Sequence, residues 1–113
     1  MSKQESPPAP RIHQDFIARY PELGQAWELM AESGQKGPLD DRMTRIVKLA
    51  VAMGAMREGA VHASVRKARA RGISREEIEQ CVAIAASTVG LPSSVALYSW
   101  VRDVLDAEST VSP

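Results

Sequence analysis

Apolar residues recur every three or four positions along most of the chain and never alternate with period two over a useful length. That spacing predicts helices rather than strands, about six of them. The first is short, with Ile12, Phe16 and Ile17 on its apolar side. Pro21 ends it and suits the opening position of the second helix, where its missing N–H is not needed. This second helix carries Leu23, Ala26, Trp27 and Met30 and stops at Gly34. After the turn Gln35-Lys36-Gly37-Pro38, Asp40 can cap a third helix. Its apolar members, Met43, Ile46, Val47, Leu49, Ala50, Val51 and Met53, exceed one stripe, so burial on more than one side is expected. A Gly-containing break at Gly54 separates it from a fourth helix, from about Arg57 to Arg71. There Val61, Val65 and Ala68 face inward and Gly72 fits the left-handed position after the end. The fifth opens on the clearest local signal. Ser74 and Glu77 form a capping box, flanked by Ile73 and Ile78 as a hydrophobic staple. It continues through Cys81, Val82, Ile84, Ala85, Ala86 and Val89, apolar nearly all round, which marks a central helix or one covered by a partner subunit. Gly90 ends it and Pro92 opens the sixth, with Val95, Leu97, Tyr98, Trp100, Val101, Val104 and Leu105 as its apolar set. The chain therefore reads as all-α with short connections. Residues 1–10 form a disordered, proline-rich tail, 11–107 a single helical domain and 108–113 a frayed tail.

Composition narrows the possibilities. The 113 residues suit one domain, and 44% hydrophobic with 25% charged residues is enough for a packed core. Lys+Arg and Asp+Glu are 14 each, so the net charge is zero. That balance argues against a general nucleic-acid binder and favours self-association. The single cysteine, Cys81, permits neither an intrachain disulfide nor a CxxC pair, and reads as a small buried hydrophobe. No run of about 18 apolar residues predicts a membrane span, and the N-terminus lacks the apolar stretch of a signal peptide. The expected compartment is the cytoplasm.

The candidate chemistry lies at the start of the fourth helix. Glu58 and His62 are four residues apart, so both project from one face and can touch. An imidazole oriented by a carboxylate can serve as general base or acid, removing a proton alpha to a carbonyl or returning one to a carbanion after loss of CO2. The plainer reading is a surface pair that supports the helix. A metal site is not expected, because two donors are too few and His13 is the only other histidine. Ser64 points to another side of the helix from His62, so a Ser–His nucleophilic pair is not expected. Arg66, Lys67, Arg69, Arg71 and Arg75 form a basic cluster, read as a solvated helix end whose charges complement the helix dipole.

The stretches Pro38-Leu39-Asp40, Arg45-Ile46-Val47-Lys48-Leu49-Ala50-Val51-Ala52, Glu58-Gly59-Ala60-Val61-His62, Arg71-Gly72-Ile73-Ser74-Arg75-Glu76-Glu77-Ile78 and Gly90-Leu91-Pro92 resemble, in order and spacing, the carboxymuconolactone decarboxylase family. That family shares its fold with the AhpD-like alkylhydroperoxidases. The resemblance implies a helical subunit assembled as a homotrimer or homohexamer, with no cofactor. The peroxidase relatives carry a CxxC pair and a histidine on the helix matching the fourth, and a glutamate on the helix before it. Those positions fall here on Arg57, Ala60, Ser64 and Arg45. Without a thiolate and its resolving partner, peroxidase chemistry has no vehicle. If Arg45 and Arg57 occupy the family's pocket, they and Ser64 are the candidate substrate-binding residues, the guanidinium fork matching a carboxylate.

Two expectations follow. The first is a lyase-like enzyme performing decarboxylation or proton transfer on a small anionic carbonyl compound or lactone, with His62 as proton carrier, Glu58 orienting it and Arg45 or Arg57 holding the anion. The second is an oligomeric scaffold or binding module that kept the fold and lost the chemistry.

Overall fold

Local interactions write most of the helix boundaries in the computed structural model, which describes residues 11–111 with side chains to Glu108. The tail expected over 1–10 lies outside the described residues, as do residues 112–113. Six helices follow in order, α1 (Arg11–Arg19), α2 (Pro21–Ser33), α3 (Asp41–Gly54), α4 (Glu58–Ala70), α5 (Arg75–Val89) and α6 (Leu91–Val111), with no strand among the described residues. The Asp40 carboxylate accepts from the Met43 backbone N–H at 2.8 Å and starts α3. Pro21 occupies the first turn of α2. At the end of α4, Gly72 is left-handed (φ +84°). The Ile73 N–H reaches back to the Ala68 carbonyl at 3.1 Å, and the Gly72 N–H to that of Arg69 at 3.0 Å. These two bonds make a Schellman motif and satisfy carbonyls that the helix leaves open. Two residues later the capping box closes, with Glu77 N–H to Ser74 Oγ at 3.1 Å and Ser74 N–H to Glu77 Oε1 at 2.9 Å. Ile73 and Ile78 are fully buried on either side, so the α4–α5 corner is fixed by both backbone and apolar contacts.

The core lies among α3, α4, α5 and α6. Leu49, Met53, Val61, Val65, Ala68, Ile73, Ile78, Leu97, Val101 and Leu105 are buried within it. Complete burial of such aliphatic side chains is worth about 1.5–3 kcal/mol each before entropy is set against it. The inward stripe predicted for α4, Val61, Val65 and Ala68, is fully buried. This central packing makes α4 the frame on which the chemistry hangs, since α3 and α6 both lie against it.

Three expectations need correction. The apolar surplus of α3 is not buried on more than one side: Met43, Val47 and Val51 are exposed while Leu49, Ala52 and Met53 are covered. A count of apolar residues measures how much surface wants covering, whereas one chain offers α3 a single packing face. The break before α4 rests on Met56, whose φ of 54° makes the left-handed turn, rather than on a glycine. The frayed tail expected from Glu108 is helical to Val111, and the Glu108 carboxylate accepts a bond from Arg69 Nε at 3.0 Å.

The α1–α2 hairpin stands apart energetically. The two helices pack closely enough that a Cβ on Gly24 would come within 2.6 Å of Ile17 Cγ2. Yet Ile12, Phe16, Leu23, Trp27, Leu29 and Met30 are all exposed. No described helix is long and apolar enough to cross a membrane.

Candidate functional site

The first turn of α4 presents Glu58 and His62 toward α6. His62 Nε2 lies 3.9 Å from Glu58 Oε2 and 3.0 Å from Asp103 Oδ2, so its hydrogen-bond partner is Asp103. The spacing of Glu58 and His62 was legible in the sequence; Asp103, 41 residues away, was not. Its arrival depends on α6 packing along α4, which buries Leu97, Val101 and Leu105 and leaves Asp103 on the rim. The imidazole is three-quarters buried, whereas the carboxylates of Glu58 and Asp103 are more than half exposed. When Asp103 accepts from Nε2–H, the neutral ring keeps its lone pair on Nδ1. Asp103 therefore does the orienting that sequence spacing assigned to Glu58.

One donor atom from each of Glu58, His62 and Asp103 falls within 4.8 Å of the others. The sequence counted two donors here, and the fold supplies a third. One imidazole and two carboxylates match the donor preferences of a divalent first-row cation, which would still need further ligands. The same three groups work without a metal as a hydrogen-bonded acid–base set.

The remaining sequence candidates do not join this set. Arg57 is the exposed residue at the N-cap of α4, and its side chain makes no capping bond. Ser64 is half-buried and sits about 200° round the helix from His62. Arg45 is buried in the first half of α3. Its charged neighbours Lys67 and Arg71 follow His62 by five and nine residues, toward the other end of α4. Arg45, on α3, thus lies beside the C-terminal half of α4, whereas His62 lies in its N-terminal half, and one chain does not bring the two together.

The basic cluster is no plain solvated helix end. Arg69 donates from Nε to Glu108 and from Nη1 to the Ile73 carbonyl, both at 3.0 Å. Arg75 donates from Nε to Glu79 and from Nη2 to Asp106, again at 3.0 Å. Lys67 differs: burial and the nearby charges of Arg45, Lys48, Arg71 and Arg66 hold its ammonium below the ordinary lysine range. Cys81 is half-buried, and burial with the neighbouring Glu77 charge pushes its thiol up, away from the reactive thiolate.

Comparison with known proteins agrees with the helix order. No curated protein and no solved structure matches the chain. The pattern of the carboxymuconolactone decarboxylase family matches residues 21–103, which takes in α2 to α5 and α6 as far as Asp103. On that match, with the all-helical architecture, the chain belongs to the carboxymuconolactone decarboxylase family.

Proposed function

We propose that this protein is a cofactor-free acid–base catalyst of the carboxymuconolactone decarboxylase kind, acting on a small anionic carbonyl compound or lactone, with His62 as proton carrier. The supporting observation is the 3.0 Å approach of Asp103 to Nε2, with Glu58 beside it. A carboxylate on Nε2–H fixes the tautomer and directs Nδ1 at the reacting carbon, and it stabilises the imidazolium when that forms. In decarboxylation the C–C bond to the departing carboxylate breaks, its electron pair passes into an enolate and CO2 leaves. The imidazolium then gives its Nδ1 proton to the carbon and later regains one from water. In an isomerisation the neutral ring takes the alpha proton first and returns it elsewhere. Arg57, one residue before Glu58, would hold the substrate's carboxylate, helped by the free N–H groups of the helix start.

The reading includes assembly as a homotrimer or homohexamer. Exposed Trp27, Met30, Val51 and Ile84 give such an interface its apolar area. Sedimentation showing a stable monomer at micromolar concentration would refute it.

The enzyme reading is tested by turnover of a panel of small keto acids and lactones. His62→Gln should reduce turnover by about 10²–10⁴-fold, the usual range for a general acid–base group. Asp103→Asn should lower kcat more than it raises KM, and Glu58→Gln should have the smaller effect. Turnover that survives His62→Gln would overturn the assignment. The alternative is a scaffold or binding module without chemistry. It is favoured by Arg57, Ala60 and Ser64, which stand where the resemblance places the peroxidase relatives' thiols and histidine, and is the reading to adopt if the wild type is inert on the whole panel.

A further inference from the structure

We propose that the rim between α4 and α6 binds a divalent transition cation of the zinc type, held by His62 Nε2 and one carboxylate oxygen each of Glu58 and Asp103, with water completing the shell. Binding stands on geometry alone, and only its effect on turnover rests on the catalytic reading proposed above.

Two carboxylates from different helices converge on one ring nitrogen. Asp103 Oδ2 is 3.0 Å and Glu58 Oε2 is 3.9 Å from Nε2, and the donor atoms of the three residues lie within 4.8 Å of one another. Both carboxylates have His62 as their ion-pair partner. Arg102, beside Asp103 in the sequence, is turned to Asp106 instead. A proton on Nε2 points along one line, so it serves Asp103 and leaves Glu58 beyond hydrogen-bond range. A cation among the three donors serves all of them at once. Like charges this close repel each other, and a divalent cation between the two carboxylates removes that repulsion. The positive end of α4 opposes it with only a partial charge against two full negative ones.

The spacing suits the size of the ion. Bonds of about 2.0–2.2 Å to imidazole nitrogen and carboxylate oxygen place tetrahedral donors about 3.4 Å apart. The two distances to Nε2 bracket that value. The remaining adjustment falls on the carboxylates, which are more than half exposed, whereas the ring is three-quarters buried and fixes the direction of approach. The same exposure admits a hydrated ion from solvent. A neutral imidazole with two carboxylates selects zinc-like ions over magnesium, which favours oxygen donors and holds its own water. Three protein ligands and a water position match the pattern of open zinc sites.

The cation takes the Nε2 lone pair. The Nε2 proton leaves to water and Nδ1 gains one from water, so the ring stays neutral with its proton on the other nitrogen. Nδ1 is the atom that the catalytic reading directs at the reacting carbon. The loaded protein therefore has no base there, and the ion acts as an inhibitor that a chelator lifts.

The test is calorimetric titration of the full chain with Zn²⁺ in a non-coordinating buffer, with Mg²⁺ as the comparison ion. One Zn²⁺ per chain is expected, with a saturable rise in Tm. His62→Gln should abolish binding. Glu58→Gln and Asp103→Asn, conservative changes at exposed side chains, should fold and each weaken binding by about tenfold or more, at least the cost of losing an outer-shell partner. His13→Ala, on α1, should bind as the wild type does. Binding that survives His62→Gln, binding lost in His13→Ala, Mg²⁺ held as tightly as Zn²⁺, or no saturable binding would each overturn the site. The two readings fail separately. A wild type inert on the keto-acid and lactone panel, yet binding Zn²⁺ through these residues, removes the catalytic reading and supports the site. Turnover in chelator without any Zn²⁺ binding does the reverse. Where both hold, saturating Zn²⁺ should lower turnover by about 10²-fold or more, and chelator should restore it. Full turnover by the loaded protein would overturn the inhibition.

Discussion

The two flanks of α4 handle positive charge in opposite ways. On the side toward α5 and α6, basic groups meet acids: Arg69 with Glu108, Arg75 with Glu79 and Asp106, and the His62 imidazole with Asp103. On the side toward α3, Arg45 is buried among like charges with its Nε unmatched. Both flanks share the same apolar spine of Val61, Val65 and Ala68, so packing alone does not separate them. What separates them is completeness. On the α6 flank the basic groups find acids among the described residues, and on the α3 flank Arg45 Nε finds no hydrogen-bond partner there. Arg42 sharpens the contrast on α3 itself. It lies three residues before Arg45, yet its guanidinium is paired with Glu77. A buried charge at one turn and a paired charge at the neighbouring turn have different purposes.

The largest expected effect comes from attacking the unfinished flank. Arg45→Met keeps the volume and removes the buried charge, so in chloride buffer it should stabilise the protein, by about 1–4 kcal/mol on the precedent of buried ionic groups replaced by apolar ones. Chemical denaturation of wild type and variant measures this. A loss of stability would erase the distinction between the flanks, because it would mean that Arg45 is already satisfied.

The same substitution on the finished flank should have the opposite sign. Arg69→Met removes a bond to Glu108 and one to the Ile73 carbonyl. Discounted for partial exposure, the loss should be about 1 kcal/mol, read from the same denaturation curves. Equal signs for Arg45→Met and Arg69→Met would show that the two flanks behave alike.

How much of this contrast was legible in the sequence depends on the range of the interaction. Interactions within one turn were readable: the Asp40 cap, the Ser74–Glu77 capping box, Gly72 after α4 and the Glu58–His62 spacing all follow from residues three or four apart. Partners brought by packing were not. Asp103 reaches His62 and Glu108 reaches Arg69 across about 40 residues, and no local pattern on α6 marks either as facing α4. The burial of Arg45 was hidden for a related reason. A charged residue inside an apolar helix reads as the polar side until the neighbouring helix covers it. Exposed Val47 and Val51 mark the converse case, apolar positions for which the chain supplies no cover.

A smaller effect tests the corner from which the finished flank is built. Ser74→Ala deletes the hydroxyl that accepts the Glu77 N–H, and should cost about 1 kcal/mol, typical of a lost N-cap. The loss should appear with Arg45 or Met at position 45 alike, since the two sites share no partner and should add. Strong non-additivity would mean that the flanks are coupled through α3 and would undo the comparison.

The smallest effect concerns Arg42 and Glu77, both partly in water and therefore screened. The Arg42 bond first, and the Ser74 backbone bond next, hold the Glu77 carboxyl at about 2 rather than 4.5. A carboxyl with a depressed folded-state pKa stabilises the fold at pH above its unfolded value, because it is ionised in both states there and keeps its partners only when folded. That contribution should therefore be whole above pH 4.5, fall progressively between 4.5 and about 2, and be gone below. Glu77→Gln should flatten the acid limb of a Tm-against-pH curve without removing it, because Arg75 and Arg102 also hold Asp106 below the ordinary aspartate range. Arg45→Met should leave that limb unchanged, since the charges acting on Arg45 are cations that keep their protons throughout this range. An acid limb that Arg45→Met abolished would reveal a carboxylate on the α3–α4 seam, and the two flanks would no longer differ in kind.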